Sequence, residues 1–478
     1  MPNKEHDEGG EGMSSRSISE QLRQHAEDWA LYEEAKTYAM DYMKTVLDRS
    51  VFPEKDAIEG LAAFRHKLPD NPVNPHDILK QLHTVGSPAT VAQTGGRYFG
   101  FVNGGIIPAA LAAKWLGDTW DQNAALYVIS PAVSVLEEVC EGWLVDLLGL
   151  PENTAAGLVS GTSTATLCGV AAGRDYLLRR QGWDVNGQGL FGAPEIKVVL
   201  GEGAHSTVYK ALSILGLGKD RLIKVPTDDQ GRMRADALPE LDDKTLLILQ
   251  AGNVNSGAFD PFAGICAKAQ AAGAWTHVDG AFGLWAAASP KLDHLTRGID
   301  MADSWSVDAH KTLNAPYDNG IILCRHRDAL SQALHMTGSY IVYSEHRDGM
   351  LYTPEMSRRG RAVELWASLM ALGRSGAAEL IEDLHHKAQS FAAGLREEGF
   401  QILNEVCFNQ ALVSCGNPDL TQKTLEKVQQ SGECWCGPGQ WKGEMVIRIS
   451  VCSYRTTQED ISRCVKAFVK ARQESEKE

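Results

Sequence analysis

The chain has 478 residues, of which 44% are apolar, so it can bury a large core and build at least two domains. Its formal net charge of −15 argues against nucleic acid and anionic membranes as partners, because both reward clustered lysine and arginine. No apolar run reaches the length of a membrane span, and the ten cysteines include no pair with metal-site spacing and partner ligands nearby.

The N-terminal region changes character near residue 16. Residues 1–15 are acidic and rich in glycine, which predicts disorder, and they lack the apolar core of a signal peptide. Ser17 and Glu20 can then form a capping box, and apolar residues recur at helical spacing between Leu22 and Val46. Residues 16–90 are therefore predicted to form a helical arm, whose apolar face has no obvious partner in its own chain.

Short apolar strands alternate with helices in residues 91–330. Examples of such strands are the segments 246–249 and 320–324. This alternation predicts an α/β fold with a mostly parallel sheet, covered on both faces, as the large domain. Residues 331–478 are predicted to hold a loop and a smaller C-terminal α+β domain, which ends in an amphipathic helix from Thr457. Ligands of such sheets bind at the carboxyl ends of the strands.

Two polar junctions follow predicted strands. Thr162 and Ser163 open a helix, where hydroxyl groups and unpaired N–H groups suit a phosphate, although an ordinary N-cap has the same pattern. His205 follows the strand 196–200, where it could stack on a flat ring or cap the next helix. Taken alone, neither junction decides between these interpretations.

A lysine and an aspartate carry the strongest chemical signal. Asp279 ends the strand-like segment 275–279, and Lys311 follows His310 after the segment that begins at Ser304. Pyridoxal phosphate needs a lysine to hold its aldehyde as a Schiff base, and a carboxylate to keep its ring nitrogen protonated. Ala281 lies on the same face of an extended chain as Asp279, and its small side chain would let the flat ring lie close.

The order of these features resembles the group II pyridoxal-phosphate-dependent amino acid decarboxylases, the family of the aromatic-amino-acid and glutamate decarboxylases. Further matching segments extend the resemblance over most of the chain; they are residues 97–101, 130–144 and 357–361. The first eighty or so residues and about the last hundred match loosely.

The resemblance implies a PLP-dependent transferase type I fold and a role for each site residue. It implies that Lys311, His205 and Asp279 are catalytic, with Lys311 as the Schiff base and His205 stacked on the ring. It places Thr162 and Ser163 on the phosphate, Ala281 under the ring, and His310 near the phosphate or imine. It also implies a homodimer, in which the N-terminal arm docks on the second subunit.

Three features depart from the family pattern. Asp308 stands where the family has an asparagine, and Gln250 stands where many members have a threonine. The segment after the lysine is shorter than the family's mobile loop, which carries a tyrosine that protonates the α-carbon. We hypothesise that Tyr340, Tyr343 or Tyr352 supplies that proton here.

These observations predict a cytoplasmic enzyme that uses pyridoxal 5'-phosphate, but no metal, to decarboxylate an amino acid. Transamination is one alternative, because Arg448 could clamp the α-carboxylate or could instead form a structural salt bridge. Aldol-type cleavage, decarboxylation coupled to another bond change and, more distantly, a non-catalytic scaffold are the others. An aromatic or aliphatic substrate is favoured, with candidate contacts at Tyr98, Phe101, Asn103 and Asn123.

Overall fold

A computed structural model describes residues 17–335, 343 and 345–477 of the chain. The segment predicted to be disordered, residues 1–15, lies outside these ranges. The described residues form two compact units, one ending at Ala92 and the other beginning at Gln93. Within the described ranges, no helix combines the length and the apolar character needed to cross a membrane.

The first unit consists of short helices. Its α-helices are α1 (Ile18–Ala26), α2 (Trp29–Thr45), α3 (Lys55–Gly60) and α4 (Pro75–Gln81). The predicted capping box is confirmed, because Ser17 Oγ accepts from Glu20 N and Glu20 Oε2 accepts from Ser17 N. The His76 ring bridges Glu34 and Asp28, at 2.6 and 2.9 Å, and therefore ties α4 to the α2 region.

A seven-stranded sheet forms the centre of the second unit, and it confirms the predicted mostly parallel α/β fold. Its strands are β1 (Ala155–Val159), β2 (Lys197–Gly201), β3 (Ile223–Val225), β4 (Thr245–Gln250), β5 (Trp275–Asp279), β6 (Ser304–Asp308) and β7 (Gly320–Cys324). Their order is β1-β7-β6-β5-β4-β2-β3, and only β7 runs antiparallel to its neighbours.

Helices precede, connect and follow these strands along the chain. They are α5 (Pro108–Trp120), α6 (Pro131–Leu147), α7 (Thr162–Arg180), α8 (Val185–Gln188), α9 (Ser206–Ile214), α10 (Phe262–Ala272) and α11 (Arg327–Leu334). Helix α7 packs closely on the sheet through glycines. A Cβ at Gly169 would lie 2.6 Å from His277 Nδ1, and one at Gly173 would lie 2.6 Å from the Trp275 ring. This close packing fixes the start of α7 at the carboxyl edge of the sheet.

A second, smaller sheet follows along the chain. Its elements and flanking helices are α12 (Ala362–Glu397), β8 (Gln401–Ile402), β9 (Gln410–Ser414), α13 (Pro418–Gln430), β10 (Gly437–Trp441), β11 (Glu444–Ser450) and α14 (Gln458–Ser475). The strand order is β10-β11-β9-β8, and every pair is antiparallel. Phe468 on α14 meets Phe391 and Phe400 edge to face. The smaller α+β layer predicted for the C-terminal part is therefore present.

A buried ion network ties the segment 345–361 to helix α6. Both oxygens of Glu137 accept from Arg358, at 2.5 and 3.0 Å, and Oε2 also accepts from Arg347 Nε at 3.3 Å. Arg347 Nη1 also donates to Glu141 Oε2 at 2.6 Å. The Arg347 guanidinium also lies 4.6 Å from the centre of the Tyr352 ring. The charges of this network are paired although the side chains are buried.

Candidate active site

A cleft of about 540 Å³ opens at the carboxyl ends of β1, β5 and β6. All seven residues predicted to bind the cofactor line it; they are Thr162, Ser163, His205, Asp279, Ala281, His310 and Lys311. Residues far apart in the sequence meet here because parallel strands end at the same edge of a sheet.

Lys311 lies among polar groups on the floor of the cleft. Its Nζ is 3.1 Å from Asp308 Oδ2, and His310 Nε2 is 3.6 Å from the same oxygen. The backbone of Asp308 is held on both sides, because its N–H donates to Ala281 O and its carbonyl accepts from Trp285 Nε1. The lysine therefore has a fixed carboxylate as its neighbour.

Asp279 ends β5 and is only 4% exposed. Burial raises the pKa of its carboxyl, and the nearby charges of His205 and Lys311 act in the opposite direction. Its Oδ1 accepts from Ala281 N at 3.3 Å. A cation placed beside this carboxylate would favour its ionised form, so the site suits a protonated ring nitrogen.

His205 caps the next helix, which is one of the two roles that its sequence position allowed, and it also lines the cleft. It is the N-cap of α9, where its Nδ1 accepts from Thr207 N at 3.3 Å. Burial lowers the pKa of the imidazole, although the charge of Asp279 opposes this effect. A neutral, flat ring thus faces the cleft.

The N-terminus of α7 is suited to an anion. Its N-cap is Gly161, which has no side chain to cap the helix, and the buried Thr162 Oγ1 has no hydrogen-bond partner among the described residues. A buried hydroxyl without a partner is unfavourable unless a ligand pairs with it. Asp308 Oδ1 accepts from Thr162 N at 2.7 Å, so this acid shares the helix terminus.

The segment that contains Phe101 and Val102 forms another wall of the cleft, and its backbone is strained. Phe101 and Val102 have positive φ angles of 53° and 58°, which bulky and β-branched residues rarely adopt. Phe101 stacks on Trp435 with 5.6 Å between ring centres, and Gly105 N donates to Asn314 Oδ1 at 2.7 Å. A Cβ at Gly104 would collide with the carbonyl oxygen of Lys311. This wall is thus pressed against the lysine segment.

Comparisons with known proteins identify the family. The model of the pyridoxal-dependent decarboxylase conserved domain matches residues 59–414. The chain belongs to the pyridoxal-dependent decarboxylase family. It is 25% identical to an aromatic-L-amino-acid decarboxylase of Bacillus atrophaeus, over 93% of this chain and 95% of that one. It is 30% identical to an aspartate 1-decarboxylase of Aliivibrio fischeri, over 53% of this chain and 49% of that one.

The fold agrees with this assignment. The structure of Oryza sativa TDC, solved with PLP and tryptamine, superposes with a TM-score of 0.86. The two chains are 22% identical, and the match covers 93% of this chain and 97% of the other. The chain is therefore a PLP-dependent amino acid carboxy-lyase with the fold of these decarboxylases.

The residues in the cleft fit pyridoxal phosphate. The Thr162 hydroxyl at a helix N-terminus, which has no partner among the described residues, suits its phosphate, and the small Ala281 leaves room beside the buried Asp279. Among the residues described, no group of three or more histidine, cysteine, aspartate and glutamate side chains could hold a metal ion. The enzyme uses pyridoxal phosphate as its cofactor.

The other candidate residues named from the sequence do not all line the cleft. Phe101 lines the cleft, but Asn123 does not; its side chain meets Ser357 and the backbone of Ala125. Tyr343 stacks near His335, and Tyr352 accepts a hydrogen bond from Arg327, so neither lines the cleft. Tyr340, the third proposed proton donor, lies outside the described residues.

Several cleft residues were missed by the sequence analysis; they are Thr207, Val254, Phe282 and Tyr317. Thr207 and Tyr317 follow singled-out histidines closely, and that proximity was the available signal. Val254 and Phe282 have ordinary apolar side chains, and no local pattern separates them from core residues. Arg448, considered as a clamp or a salt bridge, lines the cleft and forms no salt bridge within the described ranges.

Proposed function

We propose that the enzyme decarboxylates an amino acid with an aromatic or aliphatic side chain, with Lys311 carrying the cofactor as a Schiff base. The observation that supports this most is the placement of Lys311 and the buried Asp279 in one cleft. When bound, pyridoxal phosphate supplies an electron sink for the pair left by the departing carboxylate.

Each residue then has a separate task. The Asp279 carboxylate would keep the ring nitrogen of the bound cofactor protonated, and a protonated ring would accept the electron pair of the breaking bond more readily. The Thr162 hydroxyl and the α7 N-terminus bind the phosphate. His205 presents its flat, neutral ring to the cofactor. Lys311 Nζ exchanges a proton with the substrate amine while Asp308, 3.1 Å away, holds the lysine in position.

The apolar walls of the cleft favour a substrate with an apolar side chain. Phe101, Val254 and Phe282 line it, and Phe101 is backed by Trp435. Aromatic side chains pack well against such rings in offset or edge-to-face arrangements. An aromatic amino acid would fill this space with the least exposed apolar surface.

Arg448 favours a second candidate, a substrate with a carboxylate in its side chain. The buried Nε of Arg448 has no hydrogen-bond partner in the described chain, and burial lowers the pKa of its guanidinium. An anion from the substrate would satisfy this group. Binding of the α-carboxylate itself would oppose its departure and would instead favour transamination.

A panel of substrates decides between these candidates. We expect the highest kcat/KM with an aromatic or aliphatic amino acid, an amine as product, and less than about a tenfold change in Arg448→Met. If aspartate or glutamate is preferred, and this preference falls ~100-fold or more in Arg448→Met, the second candidate is correct. Formation of keto acid without release of carbon dioxide would establish transamination instead.

We further propose a homodimer in which the N-terminal helices dock on the second subunit. Neither α1 nor α2 buries any of its residues, and Trp29 is 75% exposed. Ile18, Leu22 and Tyr32 add to this uncovered apolar surface. Surfaces of this kind mark interaction sites.

Light scattering is expected to give twice the mass of one chain. Trp29→Asp should shift the protein toward the monomer, because it places a charge in the docked surface, whereas Lys36→Ala on the same helix should not. A wild-type protein that is monomeric and fully active at low concentration would contradict this proposal.

A reducing compartment, the cytoplasm, is our proposal for the location of the enzyme. All ten cysteines are free thiols, and most are buried. Secreted chains of this kind usually form disulfides. Fractionation of cells that express the protein would test this, and recovery outside the cytoplasm would contradict it.

A further inference from the structure

We propose that Tyr317 is the acid that protonates the α-carbon after carbon dioxide leaves, an inference that rests on the proposed decarboxylation. Among the described residues that line the cleft, Tyr317 is the only tyrosine. The residue is 48% exposed and lines the cleft, so a bound substrate can reach it. Tyr317 therefore carries a phenol proton and lies where a bound substrate can reach it.

The phenol is held by neighbours on two sides. Its ring stacks on His310 with 4.1 Å between ring centres, and His310 directly precedes Lys311 in the chain. Its hydroxyl donates to Asn103 Oδ1 at 2.9 Å, and Asn103 Nδ2 in turn donates to Gln93. This second bond orients the Asn103 amide so that its oxygen faces the phenol.

The backbone after Tyr317 is anchored as well. The Asp318 carboxylate accepts from Arg359 at 2.7 Å and from Arg361 at 3.2 Å. Asn319 N donates to His310 Nδ1 at 3.0 Å. The phenol is thus fixed relative to His310, and only rotation about its C–O bond is needed to redirect the hydroxyl hydrogen.

The other acidic groups of the cleft are engaged elsewhere. Asp308 accepts from Thr162 N and pairs with Lys311. The assigned position of Asp279 is beside the ring nitrogen, and His205 Nδ1 is occupied by Thr207. Burial raises the pKa of Tyr317, so the phenol keeps its proton throughout the physiological pH range. Among the described residues, the Tyr317 proton is held only by the neutral amide oxygen of Asn103, and rotation of the hydroxyl can redirect it to the substrate.

Decarboxylation and protonation together conserve atoms and charge. The bond between the α-carbon and the carboxylate carbon breaks, its electron pair stays behind, and carbon dioxide leaves. The Tyr317 O–H bond breaks, and its proton forms the new bond to the α-carbon. The phenolate then recovers a proton from water at the open side of the cleft. In sum, an amino acid anion and one proton give an amine and carbon dioxide.

The test compares tyrosine-to-phenylalanine variants of the cofactor-loaded enzyme. Tyr317→Phe keeps the ring on His310 and removes only the hydroxyl, Tyr343→Phe is a matched control, and Tyr340→Phe tests the alternative donor. Carbon dioxide, amine and carbonyl product are measured in single turnovers with the best amino acid of the substrate panel. Absorbance of the bound cofactor verifies that each variant is folded and loaded.

Tyr317→Phe is expected to slow amine formation by ~100-fold or more and to slow carbon dioxide release less. The carbonyl fraction should rise, because protonation at the cofactor followed by hydrolysis then competes. An amine rate and product ratio within about twofold of wild type would overturn the assignment. So would the same defect in Tyr340→Phe alone. A wild-type enzyme that releases no carbon dioxide would instead refute the proposed function.

Discussion

Replacement of Lys311 by alanine is expected to abolish turnover while the fold stays intact. The lysine side chain lies in the cleft and pairs with Asp308, and it is not part of an apolar cluster. If the proposed Schiff base is correct, its loss removes covalent attachment of the cofactor and the amine that moves protons. Turnover should fall by several orders of magnitude, as for other covalent catalysts. Assays of carbon dioxide release and the absorbance of the bound cofactor would measure this.

Borohydride reduction gives an independent check on Lys311. In the wild-type enzyme loaded with cofactor, the label should be found in the peptide that contains Lys311, and Lys311→Ala should not be labelled. Lys268→Ala is a suitable control, because this lysine is exposed and does not line the cleft. Labelling of another lysine in the wild type would disprove the assignment.

The second large effect is expected at Glu137, on stability instead of catalysis. Glu137→Gln would leave Arg358 and Arg347 buried with too little negative charge, and breaking a buried ion pair in this way costs about 3–5 kcal/mol. Glu138→Gln is a matched control, since Glu138 is the next residue of α6 and is exposed. Urea unfolding should show a large loss of unfolding free energy in the first variant and almost none in the second.

This contribution depends on pH in a defined direction. Burial alone would raise the pKa of Glu137, but the charges and hydrogen bonds of Arg358 and Arg347 together outweigh burial and lower it. A carboxyl with a lowered pKa stabilises the fold above its unfolded pKa, and this stability is lost as the pH falls through the folded pKa. The difference between wild type and Glu137→Gln should therefore shrink in acid. A difference that is constant with pH would contradict the ion-pair explanation.

The large-scale organisation could be predicted because it depends on local patterns. The alternation of strands and helices predicted the parallel sheet, and residues at strand ends, such as Asp279 and His205, were brought together by that topology. The antiparallel direction of β7 was not predicted, since it depends on a short connection from β6 and leaves no periodic signal.

Long-range pairing was also beyond sequence reasoning. Glu137 and Arg358 are 221 residues apart, and neither differs in its local pattern from a surface charge. The sequence could not decide whether Arg448 clamps a carboxylate or forms a structural salt bridge, because this depends on whether an acidic side chain lies nearby in space. Tyr317 was not predicted either, because its contact with Asn103 joins residues that are 214 positions apart in the sequence.

The strained wall at Phe101 and Val102 has a consequence for the order in which the chain acquires its structure during synthesis. Phe99 N donates to Trp435 O, and Gly105 N reaches Asn314 across 209 residues. The conformation at Phe101 depends on these contacts, because nothing local favours a positive φ there. A ribosome must therefore extend the chain beyond Trp435 before this side of the cleft can close. The cofactor pocket is completed near the end of translation, although its first wall is encoded near the beginning.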